Sequence, residues 1–185
     1  MKAEREASGM KVLGISGWSG AGKTTLLVEL IPLLVAQGVK VSTIKHAHHE
    51  FDVDKPGKDS YRHRDAGASE VVISSARRYA IMHELRDEAE PTLEELLARL
   101  GPVDLVLVEG FKKSSHAKIE VWRASVGKPM LQTDDATIIA VASDAAIPAL
   151  PVPQLDVNRP QQVVAFILAW MAGGGRHEVQ RGAAE

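Results

Sequence analysis

Residues 17–24 read Gly17-Trp18-Ser19-Gly20-Ala21-Gly22-Lys23-Thr24, the pattern G-x-x-x-x-G-K-[ST]. They stand between the apolar run KVLGIS at 11–16 and the helix-forming stretch TTLLVELIPLLVAQ at 24–37. A strand, a glycine-rich turn and a helix in that order constrain the fold more than any other feature of the chain. The glycines let the backbone wrap around an anion with its N–H groups inward, and the positive end of the helix dipole lies behind them. This predicts a phosphate cradle built from Gly17, Trp18, Ser19, Gly20, Ala21 and Gly22. Lys23 is the expected cation for the β- and γ-phosphates of a nucleotide, Thr24 the expected Mg²⁺ ligand, and Thr25 is expected to reach the α-phosphate. A glycine-rich turn that binds nothing is the bland alternative, and the placement of the motif between strand and helix speaks against it.

A second apolar run, Asp104 to Gly110 (DLVLVEG), ends in an acid and a glycine. An acid at the C-terminal end of a parallel strand beside the phosphate loop lies where open α/β sheets place their ligands. Glu109 is therefore expected to serve Mg²⁺ or the attacking water, and with Lys23 it forms the predicted catalytic pair. Asp104 begins the same strand, at the wrong end for chemistry.

The segment 46–66 is polar and long for a connection, which marks it as functional by length alone. Asp59 opens a short expected helix there and is the candidate to complete the Mg²⁺ shell. Arg62 and Arg64 are candidates to stabilise charge on the γ-phosphate, against the alternative of a solvated charged helix. His46, His48 and His49 suggest a Zn²⁺ or Ni²⁺ site, or an anion site. For the base, the tetrapeptide N-K-x-D is absent. Asp144, which directly follows the apolar run TIIAVA, offers a carboxylate able to accept guanine's two donors, with a turn or helix cap as the alternative role.

The rest of the pattern fills in around these motifs. Strands are expected at 39–45, 103–110, 118–122 and 137–142, and helices at 24–37, 91–100 and 160–171. Two further strands, 69–75 and 79–85, read as an antiparallel hairpin added to an otherwise parallel sheet. Pro32 falls inside the first helix, whose apolar pattern continues on both sides. The predicted fold class is α/β, a three-layer P-loop NTPase-type fold, predominantly parallel with helices on both faces and an added antiparallel segment. Residues 10–172 are expected to form one nucleotide-binding domain between a leader at 1–9 and a tail at 173–185. A formal net charge of -2 argues against nucleic-acid and membrane-surface binding. The absence of cysteine excludes thiolate metal sites and disulfides and points to a reducing, cytoplasmic setting.

Taken together and in order, GWSGAGKTTL, STIKHAHHEFD, GKDSYRHRDAGA, LVLVEGFK and KIEVWR resemble, over about 11 to 145, the MobB family of molybdopterin-guanine dinucleotide biosynthesis adaptor proteins. The resemblance implies a dimeric GTP-binding protein of the P-loop class with weak GTPase activity. Its implied role is to assist the attachment of GMP to molybdopterin, with the molybdenum cofactor guanylyltransferase and molybdopterin-binding proteins as partners. It also implies that residues 17–25 hold GTP, that Thr24 and Glu109 serve Mg²⁺, that Asp59 lies near the metal and that Asp144 reads guanine. The extra lysine of the deviant motif K-G-G-x-x-G-K-[ST] is missing, since Ile15 and Ser16 occupy that place, which disfavours the partitioning ATPases. Two alternatives stay open: a small-molecule kinase, and a nickel or zinc metallochaperone GTPase suggested by the 46–49 histidines.

Overall fold

A computed structural model describes residues 9–47 and 51–173; the expected leader and tail fall almost wholly outside them, as do His48 and His49. Contacts within the chain divide it into two compact units, one of 1–46 with 93–185 and the other of 47–92.

The larger unit is built on six strands in the order β2-β5-β1-β6-β7-β8. These are β1 (Lys11–Ser16), β2 (Val41–Lys45), β5 (Leu105–Glu109), β6 (Lys118–Trp122), β7 (Ile138–Ser143) and β8 (Gln154–Asp156). Every pairing among them is parallel. A parallel sheet is covered on both faces, so its strands are apolar on both sides of the pleat. Along β1 and β5 the alternation sends Leu13, Ile15, Leu105 and Leu107 to one face and Val12, Val106 and Val108 to the other. The first face packs against α1 (Lys23–Ala36) and α4 (Pro160–Ala172), which contribute Leu26, Leu27, Leu30, Leu34, Val163, Val164 and Ile167. The second packs against α3 (Leu93–Ala98) through Leu93 and Leu97.

α1 continues through Pro32 as one helix. Pro160 sits in the first turn of α4, where its missing N–H costs nothing. Asp104, expected to lie away from the chemistry, staples the start of the sheet: its carboxylate accepts the Lys40 amide at 2.7 Å. Most expected ends move by one or two residues, and two differences go further. The helix expected over 91–100 shrinks to 93–98, its end tightening into bonds from Arg99 and Leu100 to Leu96 and Leu97. Edge strand β8 is unanticipated, because Pro148, Pro151 and Pro153 make the segment read as loop; it pairs through one neighbour, a place where proline is tolerated.

The smaller unit holds α2 (Asp59–Asp65), β3 (Glu70–Ser74) and β4 (Tyr79–His83). The expected antiparallel hairpin is present, but β3 and β4 pair with each other in a sheet of their own rather than extending the parallel one. Register places Val72 opposite Ile81 and Ser74 opposite Tyr79, and Val72, Tyr79 and Ile81 are all exposed. On the other face Val71 is buried. Arg64, in the last turn of α2, ties the unit together by pairing with Asp52, Asp54 and Glu84 at 2.6–2.7 Å.

Candidate nucleotide site

β1 carries the chain out of the core at Ser16, and the turn that follows depends on glycine. Gly17, Gly20 and Gly22 all have positive φ. A Cβ on Gly17 would stand 2.4 Å from the Val121 carbonyl oxygen of the neighbouring strand, so no side chain fits there. Gly22 caps α1 in the left-handed conformation without any side-chain hydrogen bond, and the first turn of α1 holds no acid. The opening N–H groups of a helix have no acceptor within it. Here no side chain caps them, and the helix dipole favours negative charge at this end.

Lys23 is the first residue of α1, and its Nζ donates to the Trp18 carbonyl at 3.0 Å. Burial holds its pKa below the usual lysine range; Glu109 opposes that shift, and Lys112 and Lys45 add to it. Thr24 and Glu109, both expected to serve Mg²⁺, come together: the Thr24 hydroxyl lies 3.2 Å from each carboxylate oxygen of Glu109. Parallel pairing of β1 with β5 sets Ile15 beside Glu109, so the acid emerges level with the start of the loop. Lys45, at the end of β2, approaches Glu109 at 3.8 Å. Gly110 follows with φ +106 and passes so close to His46 that an added Cβ would meet the histidine's own Cβ at 2.5 Å. His46 in turn packs its ring against Phe111, with centroids 4.9 Å apart.

Trp18 is the best-anchored side chain of the loop. Its indole N–H donates to the Pro129 carbonyl at 2.7 Å, and the Lys112 and Lys128 ammonium groups lie 5.2 and 5.8 Å from its ring centre. The segment that supplies Pro129 is itself pinned from below by Glu120, a fully buried carboxylate on β6 that accepts the Leu131 and Gln132 amides at 2.7 and 2.9 Å. Burial raises the pKa of Glu120, and those two amides hold the rise back. Glu120 and Lys112 lie within the stretches KIEVWR and LVLVEGFK, yet sequence reasoning gave them no role, and Lys128 belongs to no motif.

Asp144 emerges after β7 and meets Arg123: its Oδ2 accepts from Arg123 Nη1 at 2.5 Å. Arg123 also donates through Nε to the Ala21 carbonyl at 3.2 Å. A cleft of about 200 Å³ opens beside the first turn of α1, with Thr25, Glu29, Arg123 and Asn158 among its walls. Asp59 belongs to the 47–92 unit, where it is exposed and opens α2. Arg64, a candidate for the γ-phosphate, is committed to its three carboxylates, which raise its pKa further. Among the described residues no group of three His, Asp or Glu is placed to hold a metal ion, and of the histidine trio only His46 is described.

The model of the family described as molybdopterin guanine dinucleotide synthesis protein B, or MobB, matches residues 12–144. The chain belongs to the MobB family. Among similar proteins, the molybdopterin-guanine dinucleotide biosynthesis adapter protein of Escherichia coli (strain K12) is 46% identical over 163 residues, covering 86% of this chain and 93% of that one. The adapter protein of the same name from Haemophilus influenzae (strain ATCC 51907 / DSM 11121 / KW20 / Rd) is 43% identical over 163 residues, 86% of this chain and 89% of the relative. A crystal structure of molybdopterin-guanine biosynthesis protein B superposes with a TM-score of 0.70 at 27% identity, covering 87% of this chain and 99% of the other. The MobB match begins inside β1 and ends at Asp144, so it takes in the phosphate loop, Glu109 and Arg123 together. Among the described residues, no helix is long and apolar enough to cross a membrane.

Proposed function

We propose that this chain is a GTP- and Mg²⁺-binding adaptor with slow GTPase activity that assists the attachment of GMP to molybdopterin. The observation that carries the reading is the meeting of the Thr24 hydroxyl and the Glu109 carboxylate at the mouth of an uncapped, glycine-built loop. Hard oxygen donors of this kind suit a magnesium ion, and the glycine cradle beside them suits a polyphosphate. When bound, magnesium neutralises charge on the terminal phosphates.

The chain's own residues do the rest. Amides of the loop and of the first turn of α1 would face the phosphates, that of Ala21 excepted, since it donates to the Trp18 carbonyl at 3.2 Å, and Lys23 would exchange that same carbonyl for a phosphate oxygen. That exchange is favoured because a partly desolvated ammonium gains more from an anion than from a carbonyl. Glu109 orients the attacking water from the end of β5, with Lys45 beside it. The names of the E. coli and H. influenzae relatives supply the pathway and the adaptor role. The partners are then the guanylyltransferase that joins GMP to molybdopterin and the proteins that carry molybdopterin.

The exposed apolar face of the hairpin, Val72, Tyr79 and Ile81, supports a homodimer, since apolar side chains gathered on one face of a small sheet gain by pairing with a second copy. The absence of cysteine supports a cytoplasmic setting. Isothermal titration with GTP and magnesium tests the site. Lys23→Ala is expected to weaken GTP binding about ten- to hundredfold, the range for losing a charged hydrogen-bond donor. Unchanged affinity would discard the assignment.

A further inference from the structure

Asp144 is placed to read guanine by its position after β7, yet its carboxylate is already engaged by a guanidinium. We propose that Arg123, held in place by Asp144, is the residue that meets the nucleoside end of the bound nucleotide, and that Asp144 acts through it as a positioning residue. The inference rests on the nucleotide reading above and deepens it.

Three observations carry it. The first is topological. β1 lies between β5 and β6. Glu109 ends β5 on one side of the phosphate loop, while Arg123, Asp144 and Asn158 follow β6, β7 and β8 on the other. A nucleotide whose terminal phosphates meet Thr24 and Glu109 must therefore leave its sugar and base on the Arg123 side.

The second is the cleft on that side, beside the first turn of α1. Thr25, the residue after the magnesium ligand, shares its wall with Arg123, Glu29 and Asn158. Its volume is about 200 Å³, and Gly22 lines it as well, so the cleft opens directly off the phosphate loop.

The third is the way Arg123 is held. Nε donates to the Ala21 carbonyl and Nη1 to Asp144, which fixes the plane of the guanidinium against the loop at Gly22. Guanidinium has five N–H donors, and two bonds leave three to spare together with one flat face. A planar cation fixed in this way offers stacking to any base and hydrogen bonds to ribose or α-phosphate oxygens. Such contacts do not distinguish guanine from adenine, whereas a carboxylate reading N1–H and the 2-amino group would. The arrangement therefore predicts that Arg123 and Asp144 contribute affinity for purine nucleotides in general.

The experiment is calorimetric titration of the full chain, with magnesium, against GTP, ATP, XTP and inorganic tripolyphosphate, using wild type, Arg123→Gln, Arg123→Lys and Asp144→Asn. Tripolyphosphate carries the phosphates without the nucleoside. Arg123→Gln is expected to weaken GTP and ATP alike by about tenfold, with tripolyphosphate held within about twofold. Asp144→Asn should follow the same pattern less strongly. Arg123→Lys, which keeps the charge and loses the fork, should fall between wild type and Arg123→Gln, and it serves if the glutamine variant does not fold. An equal loss of GTP and tripolyphosphate would mean that Arg123 only props the loop through Ala21, and would overturn the proposal. Asp144→Asn that loses GTP alone and gains XTP would mean that Asp144 reads the base directly, and would overturn it too. If wild type binds neither GTP nor tripolyphosphate, the nucleotide reading itself falls, a result distinct from both.

Discussion

In the sheet unit, Leu13, Ile15, Leu105, Leu107 and Ile119 are fully withdrawn from water, while the 47–92 unit leaves Val72, Tyr79 and Ile81 exposed and closes around Arg64. The first is held by burial of apolar area on two faces of a parallel sheet. Among its described residues the second has one short helix, one hairpin, Arg64 shared by three acids and His83 shared by two. Apolar burial is non-directional and survives salt, whereas partly exposed ion pairs are screened and hold geometry more than they add stability. The part held by apolar burial therefore carries the phosphate loop, Glu109 and Arg123.

The largest effect that would test this contrast comes from a core truncation. Leu107→Ala should cost the sheet unit about 2–5 kcal/mol, read from the denaturant midpoint, because the close-packed interior relaxes only in part around the gap. A cost near zero would mean that the sheet is not the rigid part.

Acid comes next. His116 is buried with both ring nitrogens unpartnered, and burial, reinforced by Lys118, lowers its pKa to about 4. The unfolded chain takes up that proton near 6.5 and the folded one does not. Stability is therefore complete above about pH 6.5 and falls as the pH drops towards 4, by up to about 3 kcal/mol. Denaturation series between pH 7 and pH 4.5 check this; the slope should vanish in His116→Leu.

A smaller and more local effect is expected from Arg64→Met. Amides of 51–65 and 84–88 should lose exchange protection while those of β1, β5 and β6 keep theirs. Loss of protection across the whole chain would show that the two units share one cooperative fold.

The smallest effect sharpens the contrast by its sign. His83 bonds to Glu70 at 2.9 Å and to Glu88 at 3.0 Å, and these carboxylates raise its pKa. Its contribution to the hairpin is complete below the unfolded value near 6.5 and is lost as the pH rises through the raised folded value. Exchange of the 70–74 and 79–83 amides, corrected for intrinsic pH dependence, should quicken on the alkaline side. His116 and His83 thus respond to pH in opposite directions because one imidazole is buried beside a lysine, and the other bonds to two acids.

Arrangements of residues near one another in the chain were legible in the amino-acid sequence itself. The order of strand, glycine-rich turn and helix predicted the place of Lys23 and Thr24, because the short loop at 17–22 has little freedom once its ends are fixed. Glu109 followed from the same logic, an acid closing an apolar run. The MobB resemblance was also legible, since it rests on contiguous motifs. What lay hidden depended on pairings far apart in the chain. Asp144 and Arg123 stand 21 positions apart and meet because β6 and β7 are neighbours in the sheet, and Trp18 reaches Pro129 across 111 positions. Edge strand β8 was masked by its prolines, and the hairpin's separate sheet by the fact that alternation tells which face of a strand is apolar but not which strand it joins.

The amino-acid sequence alone determined the local geometry of the phosphate loop, because backbone sterics and helix polarity act over a few residues. Tertiary structure alone decided which partners Glu109 and Asp144 meet, because charge pairing depends on distances that only strand register sets.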